Sequence, residues 1–228
     1  MALTNFKGTV VKKEYLAPDV IILSFKLDAD ISFQTGQYVM MKIHKGDSFK
    51  NRAYSILNPP SQKETMDFCI KIVEDGFASE VFAEMEVGFE VEMKGPLGTF
   101  VFEDKNDIQF MIAVGTGLAP MYSILKEHLE AYPDKKFKLL FGARTRKDLV
   151  FHEEFLEIEK THDNFEYIPT ITREEWDGRQ GRVHQHLGTE FENTTFYLCG
   201  LKEMVTQTKD ELLKNGVLPE NIKAERYS

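Results

Sequence analysis

Cysteine is scarce in this chain: only Cys69 and Cys199 occur among 228 residues. Two thiols cannot supply the four thiolates of an ordinary iron–sulfur cluster, and no CxxC pair suggests zinc. Any redox centre must therefore be an organic cofactor, and no metal site is expected. Long hydrophobic runs are also missing. The longest greasy stretches are strand-like, such as Val20 to Phe25, far short of a membrane span. Residues Met1 to Gly8 carry no basic flank followed by an apolar stretch, so no secretory signal is expected and the cytoplasm is the default location. Positive charge is in deficit: the net charge is −9, which argues against nucleic acid as the main partner, because neutralising phosphates needs a basic face.

What remains is an ordinary globular composition, with 42% hydrophobic and 12% aromatic residues. The first hundred residues read as short strands rich in Val, Ile, Phe and Tyr: Phe6 to Leu16, Val20 to Leu27, Gln37 to Ile43, Asn51 to Leu57, Met66 to Val73 and Phe89 to Lys94. Turn signals such as Ala17-Pro18-Asp19 separate them, and a helical spacing interrupts them from Phe77 to Met85. Six such strands predict a small antiparallel barrel. After about Asp104 the pattern changes. Ile108 to Val114 is a continuous apolar strand, followed by a glycine turn and a helix from about Pro120 to Tyr132. Strands at Phe137 to Gly142, Phe165 to Thr172 and Thr195 to Cys199 then alternate with helices at Leu149 to Lys160, near His184, and at Lys202 to Asn215. Alternation of this kind predicts a parallel sheet covered by crossover helices. The expected domains are 1–103 and 104–228.

Two constellations carry chemistry. Gly115-Thr116-Gly117-Leu118-Ala119-Pro120 joins a buried strand to a helix start, where glycines admit a close approach to phosphate and free N–H groups point outward. A plain tight turn would look similar. Asn51-Arg52-Ala53-Tyr54-Ser55 places Arg52 and Tyr54 on one face of a strand and Ser55 on the other. Arg can pair with phosphate and an aromatic ring can cover a flat heterocycle. A strand with one solvated Arg and one half-buried Tyr would also fit.

Taken in order, Arg52-x-Tyr54-Ser55, Gly76-x-x-Ser79, Gly95-Pro96-x-Gly98, Gly115-Thr116-Gly117-x-Ala119-Pro120, Gly142-x-Arg144, Cys199-Gly200 and Glu225-Arg226-Tyr227 span nearly the whole chain. This series resembles the ferredoxin–NADP reductase superfamily. The resemblance implies a flavin-binding barrel and a dinucleotide-binding α/β domain. Arg52 and Ala53 would lie along the flavin pyrophosphate, Tyr54 would stack on the isoalloxazine, and Ser55 would hydrogen-bond near its N5. Gly76, Phe77, Ala78 and Ser79 would complete the phosphate cradle, with a helix-capping role for Ser79 as the alternative. FAD is the family's usual flavin, and some members use FMN.

In the second domain, Gly115, Thr116, Gly117 and Pro120 would receive the nicotinamide dinucleotide, and Cys199-Gly200 would lie beside the nicotinamide. Arg144, Thr172, Arg173 and Arg182 are candidates for a 2′-phosphate, so NADP(H) is expected, with NAD(H) possible. Glu225 and the aromatic Tyr227, one residue before the final Ser228, match a terminal pair that relatives use near the flavin. The implied catalytic set is Ser55, Cys199, Glu225 and Tyr227. The implied reaction is hydride transfer between NADP(H) and FAD, with electrons exchanged with a separate ferredoxin or flavodoxin. Lys42, Lys45, Lys50 and Arg52 could form a docking patch for such an acidic partner, or protect a solvated strand edge. The alternatives are a free-flavin reductase, a cytochrome reductase, the reductase component of an oxygenase, and a non-catalytic nucleotide-binding subunit. His184 and His186 read as surface residues, not metal ligands.

Overall fold

The computed structural model describes residues 3–227; the Met1–Gly8 reading and the position of Ser228 fall wholly or partly outside that range. The chain divides into two compact units, the first running up to Val101 together with Tyr122–Glu127, the second comprising Phe102–Met121 and the rest from His128.

The first unit is an antiparallel sheet of six strands. These are β1 (Thr4–Ala17), β2 (Val20–Leu27), β3 (Tyr38–Lys45), β4 (Ser48–Ser55), β5 (Met66–Lys71) and β6 (Glu90–Leu97), hydrogen-bonded in the order β4-β3-β6-β1-β2-β5. The sheet curls, and beyond the two edge strands Leu57 N donates to Asp67 O at 2.8 Å. Alternation drives the curl: Phe6, Val10, Leu23, Phe25, Val39, Met41, Ile43, Phe68, Val91 and Met93 all point inward and are buried. Phe25 and Phe68 meet edge to face at 5.7 Å. Helix α1 (Phe77–Glu84) packs Ala78 and Phe82 into the same core.

The second unit is a parallel sheet. Its strands are β7 (Ile108–Val114), β8 (Lys136–Ala143), β9 (Phe165–Ile171), β10 (Arg179–Gln180), β11 (Thr194–Leu201) and β12 (Ile222–Tyr227), in the order β10-β9-β8-β7-β11-β12. Helices α2 (Leu118–His128), α3 (His152–Thr161) and α4 (Lys202–Lys214) make the crossovers. Sequence neighbours β7, β8 and β9 run to one side, and the chain then returns to the other side of β7 to lay down β11 and β12. The strand order therefore reverses between β7 and β11, and the crevice beyond the carboxyl ends there is where open α/β sheets bind ligands. The expected barrel-plus-α/β fold is present. Buried Tyr197 on β11 ties down the start of this unit: its hydroxyl donates to Gln109 Oε1 at 3.0 Å and accepts from Glu103 N at 3.0 Å.

Candidate functional site

The edge strand β4 is exposed on both faces from Ser48 to Ala53, and burial returns only at half-buried Tyr54 and buried Ser55. Pairing of Met41 with Arg52 and Val39 with Tyr54 fixes which way these residues face. On that face the Tyr54 ring meets Phe82 of α1 edge-on, with centroids 5.1 Å apart, and the Lys50 ammonium lies 4.7 Å over the ring of Phe77, the first residue of α1. Lys50, Arg52 and Tyr54 thus share one face of β4, with Lys50 at the first residue of α1 and Tyr54 farther along the helix at Phe82. Burial pushes the Tyr54 phenol up to about 12, with Arg52 opposing the shift, so the ring is neutral at physiological pH.

The N-cap of α1 is Gly76, with no side-chain cap, so the first amides of the helix have no side-chain acceptor there. A Cβ at Gly76 would stand 2.8 Å from Ser79 Oγ and 3.0 Å from Val73 O, which explains the glycine. The Ser79 hydroxyl is not the cap that the sequence allowed. It sits inside the first turn and accepts from Val73 N at 2.9 Å, fastening the loop that leads into α1.

The four-residue basic cluster is split by the fold. Lys42 pairs with Glu92 at 3.3 Å and Lys45 pairs with Glu80. Arg52 donates only to the backbone, to Asn51 O at 3.0 Å, and among the described residues neither Arg52 nor Lys50 has a carboxylate partner. Two uncompensated cations on one strand face, one of them at an uncapped helix start, suit a diphosphate, and a neutral aromatic ring beside them suits a flat heterocycle. The residues fit FAD. Sequence reasoning offered Lys50 either to partner docking or to protection of a solvated strand edge, although its spacing of two from Arg52 on a strand was the signal for a shared face.

In the second unit, β7 hands directly to a 3-10 turn, Gly115–Gly117, and then to α2. Gly115 is left-handed, with φ of +55°, and a Cβ there would meet nothing within 4 Å, so the turn stands open on that side. Gly117 is closed in: a Cβ would be 2.4 Å from Cys199 O and 2.7 Å from Gly200 N. The turn therefore lies against the carboxyl end of β11, and Gly115, Thr116, Gly117, Cys199 and Gly200 are brought together at the reversal point. Pro120 is buried in the first turn of α2. An open glycine turn feeding a helix start fits the pyrophosphate of a dinucleotide.

Cys199 is fully buried, and burial, reinforced by the Glu225 carboxylate, holds its thiol well above the usual range. A hydrogen bond from Tyr227 and another from the Gly200 backbone oppose the shift. Register places Glu225 opposite Cys199 on β12, so Cys199, Glu225 and Tyr227 form one neighbourhood.

The 2′-phosphate candidates divide. Arg144 and Arg173 follow β8 and β9 and are joined through backbone: Arg173 N donates to Arg144 O at 2.8 Å, while Thr172 donates to Ala143 O through both N and Oγ1. Both arginines are exposed, and no ion pair engages them among the described residues. Arg182 is elsewhere, paired with Glu203 on α4 at 2.9 Å and donating to Gln207 at 3.3 Å. Among the described residues there is no cluster of three or more metal-ligating side chains, and no helix is long and apolar enough to cross a membrane.

Comparison with known proteins agrees with this division. A model of the oxidoreductase FAD-binding domain matches residues 7–102, and one of the oxidoreductase NAD-binding domain matches residues 111–210. The chain is 32% identical, over 98% of its length, to the reductase component of phenol 2-monooxygenase from a Pseudomonas species, covering 65% of that protein. It is 30% identical, over 97% of its length, to the ferredoxin–NAD(P)(+) reductase component of the naphthalene 1,2-dioxygenase and salicylate 5-hydroxylase systems of a Ralstonia species, covering 68% of it. Among solved structures, a cytochrome P450 reductase from Amycolatopsis superimposes with a TM-score of 0.91 at 26% identity, over 98% of this chain and 70% of that one. The chain spans about two thirds of the length of these relatives.

Proposed function

The chain belongs to the oxidoreductases built from an FAD-binding and an NAD-binding domain, the ferredoxin–NADP reductase superfamily; from that premise we propose that it transfers hydride between NADP(H) and bound FAD and exchanges electrons with a separate ferredoxin or flavodoxin. Residues 1–103 hold the flavin under this reading and residues 104–228 hold the coenzyme. The observation that carries it is the face of β4 shared by Lys50, Arg52 and Tyr54, on which Lys50 reaches the uncapped start of α1 and Tyr54 packs on the same helix.

Each residue's part follows from its surroundings. Arg52, with Lys50, neutralises the flavin diphosphate, in charge-assisted hydrogen bonds worth about 1.5–3 kcal/mol each. Phe77, Ala78 and Ser79 present the first amides of α1 to the same group, Gly76 shapes the turn into the helix with its own N–H turned back to Val73 O, and Ala53 leaves room beside it. Tyr54 offers an uncharged ring to the isoalloxazine, and Ser55 a hydroxyl near N5. Gly115, Thr116, Gly117 and Pro120 shape the turn that takes the coenzyme pyrophosphate. Arg144, Thr172 and Arg173 take the 2′-phosphate. Arg182 is occupied by Glu203 and is the weakest member of that set. Cys199 is held as a neutral thiol, which puts no charge against a nicotinamide that gains or loses hydride, and Glu225 and Tyr227 fix that thiol's environment. When bound, the two cofactors would supply the redox chemistry, the nicotinamide exchanging electrons only as hydride and the flavin able to take a pair and release electrons singly. No general base is needed from the protein. The proposed location is the cytoplasm, which keeps both cysteines as the free thiols found here.

An anaerobic absorption spectrum tests this directly. The purified protein should show flavin bands that bleach on adding NADPH and recover on adding oxidised ferredoxin or flavodoxin. A protein that stays colourless after soaking with FAD or FMN refutes the reading. The second reading, a reductase serving an oxygenase, is favoured by the two relatives named above. It predicts faster recovery with an oxygenase component than with either small carrier. A non-catalytic subunit would oxidise no NAD(P)H with any acceptor.

A further inference from the structure

Helix α1 has two ends, and only its start belongs to the site described above. Its carboxyl end stops at Met85 without a glycine, carries no basic residue in the last turn, and has acidic neighbours at Glu84 and Glu86. Negative charge there opposes the helix dipole, and the last carbonyls need donors. Met85 N returns to Val81 O at 2.9 Å, and two further carbonyls are met from outside the helix. Lys13 Nζ donates to Ala83 O at 2.6 Å and to Met85 O at 3.1 Å. Topology brings it there. Strand β1 pairs with β6 only from Thr4 to Thr9, so its later half has β2 on one edge and, among the described residues, no strand on the other. The chain leaving α1 fills that edge, with Val10 N donating to Phe89 O at 2.9 Å and Gly88 N to Val10 O at 2.8 Å. Three residues past Val10, half-buried Lys13 reaches back to the helix end, and the Tyr15 ring centre lies 5.7 Å from its ammonium.

We infer that Lys13 is a positioning residue for the flavin diphosphate, acting through α1. The inference rests on the flavin reading above. The helix has eight residues, about two turns and roughly 12 Å, too short to persist unaided. Ala78 and Phe82 anchor one face of it in the core. Its first turn is held by Ser79, which accepts from Val73 N, and by Lys45, whose pairing with Glu80 offsets the one carboxylate of that turn. Lys13 holds the last turn. Without it, the helix frays from its carboxyl end and fewer bonds fix the opening amides. Apparent affinity then falls with the fraction of molecules in which α1 is formed. The ammonium also offsets the acidic neighbours at the negative pole, so the positive pole keeps its pull on phosphate.

The test titrates the full chain with FAD, FMN and riboflavin, followed by flavin fluorescence. The first two carry phosphate for the helix start and the third carries none. Lys13→Met keeps the apolar stem while removing the charge and its donors. It should raise the Kd for FAD and for FMN by about three- to tenfold and leave that for riboflavin unchanged. Lys13→Arg, which keeps both charge and donors, should restore native affinity. Unchanged binding of FAD and FMN by Lys13→Met overturns the inference. So does equal weakening of all three flavins, which makes Lys13 a general support of the sheet and not a positioner of the diphosphate. Failure of Lys13→Arg to rescue overturns it as well, since the role assigned is that of a cationic donor. A native protein that binds none of the three overturns the flavin reading itself.

Discussion

Replacing Gly117 with alanine would drive a methyl group into backbone, and its consequences can be worked through from the geometry. The new Cβ would stand 2.4 Å from Cys199 O, 2.6 Å from Cys199 C and 2.7 Å from Gly200 N. None of these is the flexible end of a side chain. Strand β11 is held on both edges, by β7 and by β12, so the Gly115–Gly117 turn is the part that yields. Reaching an ordinary separation of about 3.5 Å requires a retreat of roughly 1 Å. Overpacking of this size costs about 1–3 kcal/mol, and each kcal/mol lowers Tm by roughly 2–4 °C in a chain of this length. The same retreat stretches amide-to-phosphate hydrogen bonds past useful length, and losing even one charge-assisted bond weakens affinity by about tenfold. A melt followed by circular dichroism, with NADP+ titration of the same preparations, reads both effects, and flavin content should stay full because the turn belongs to the second unit. Gly115→Ala is the contrast. Its Cβ meets open space, so only the left-handed backbone is strained, at about 1–2 kcal/mol. If Gly117→Ala melts and binds like the native protein, the close packing of the turn on β11 is not what makes this position glycine.

Further outcomes follow from the same contacts. Arg52→Ala combined with Tyr54→Ala should give a folded but colourless protein; a full flavin complement in the double variant would remove β4 from the flavin site. Arg173→Ala should raise the Kd for NADP+ by about tenfold or more while leaving NAD+ nearly untouched, as expected for one lost phosphate contact; equal effects on both coenzymes would end the case for NADP(H). The Tyr54 phenol, pushed from about 10 toward 12 by burial, binds its proton more tightly folded than unfolded. Its contribution to stability is therefore complete below pH 10 and lost as pH rises from about 10 to about 12. Tyr54→Phe should flatten that part of a Tm-against-pH curve, and an unaltered slope would place the titrating group elsewhere. Cys69 and Cys199 are both buried thiols, so a thiol reagent at neutral pH should label the protein only at the rate of unfolding; prompt labelling would contradict their burial.

Reading the sequence located the elements that carry a hydrophobic signal and missed those defined by pairing alone. The expected strand from Ile108 to Val114 coincides with β7 because a strand in the middle of a parallel sheet is apolar throughout. Strand β12, Ile222–Tyr227, was not anticipated. It is an edge strand of alternating charge, and what makes it a strand is its register against β11, with Phe196 opposite Ile222. Strand β4 begins at Ser48, three residues before the expected start, because its outer half is exposed on both faces and carries no hydrophobic signal. Helix α3 begins at His152 and not at Leu149, since Phe151 adopts a left-handed backbone with φ of +59°, a conformation no residue-type pattern marks for phenylalanine.

The same division runs through the site. Glycines were legible because their reasons are local, a turn, a helix entry and a close approach. The fate of each cation was not, because it depends on which carboxylate the fold brings near. Lys42, Lys45, Lys50 and Arg52 look alike in sequence, yet pairing with Glu92 and Glu80 engages the first two and, among the described residues, leaves the last two without a carboxylate. Arg144, Arg173 and Arg182 look alike too, and Glu203 claims only the third. An exposed salt bridge adds little to stability, commonly under about 1 kcal/mol, but it decides which positive charges stay available to an anion. The acidic excess of this chain is thus no obstacle to holding two polyanionic cofactors. Among the described residues its carboxylates pair with Lys42, Lys45 and Arg182 and leave Lys50, Arg52, Arg144 and Arg173, the cations assigned to the two cradles under the proposed function, without an ion pair.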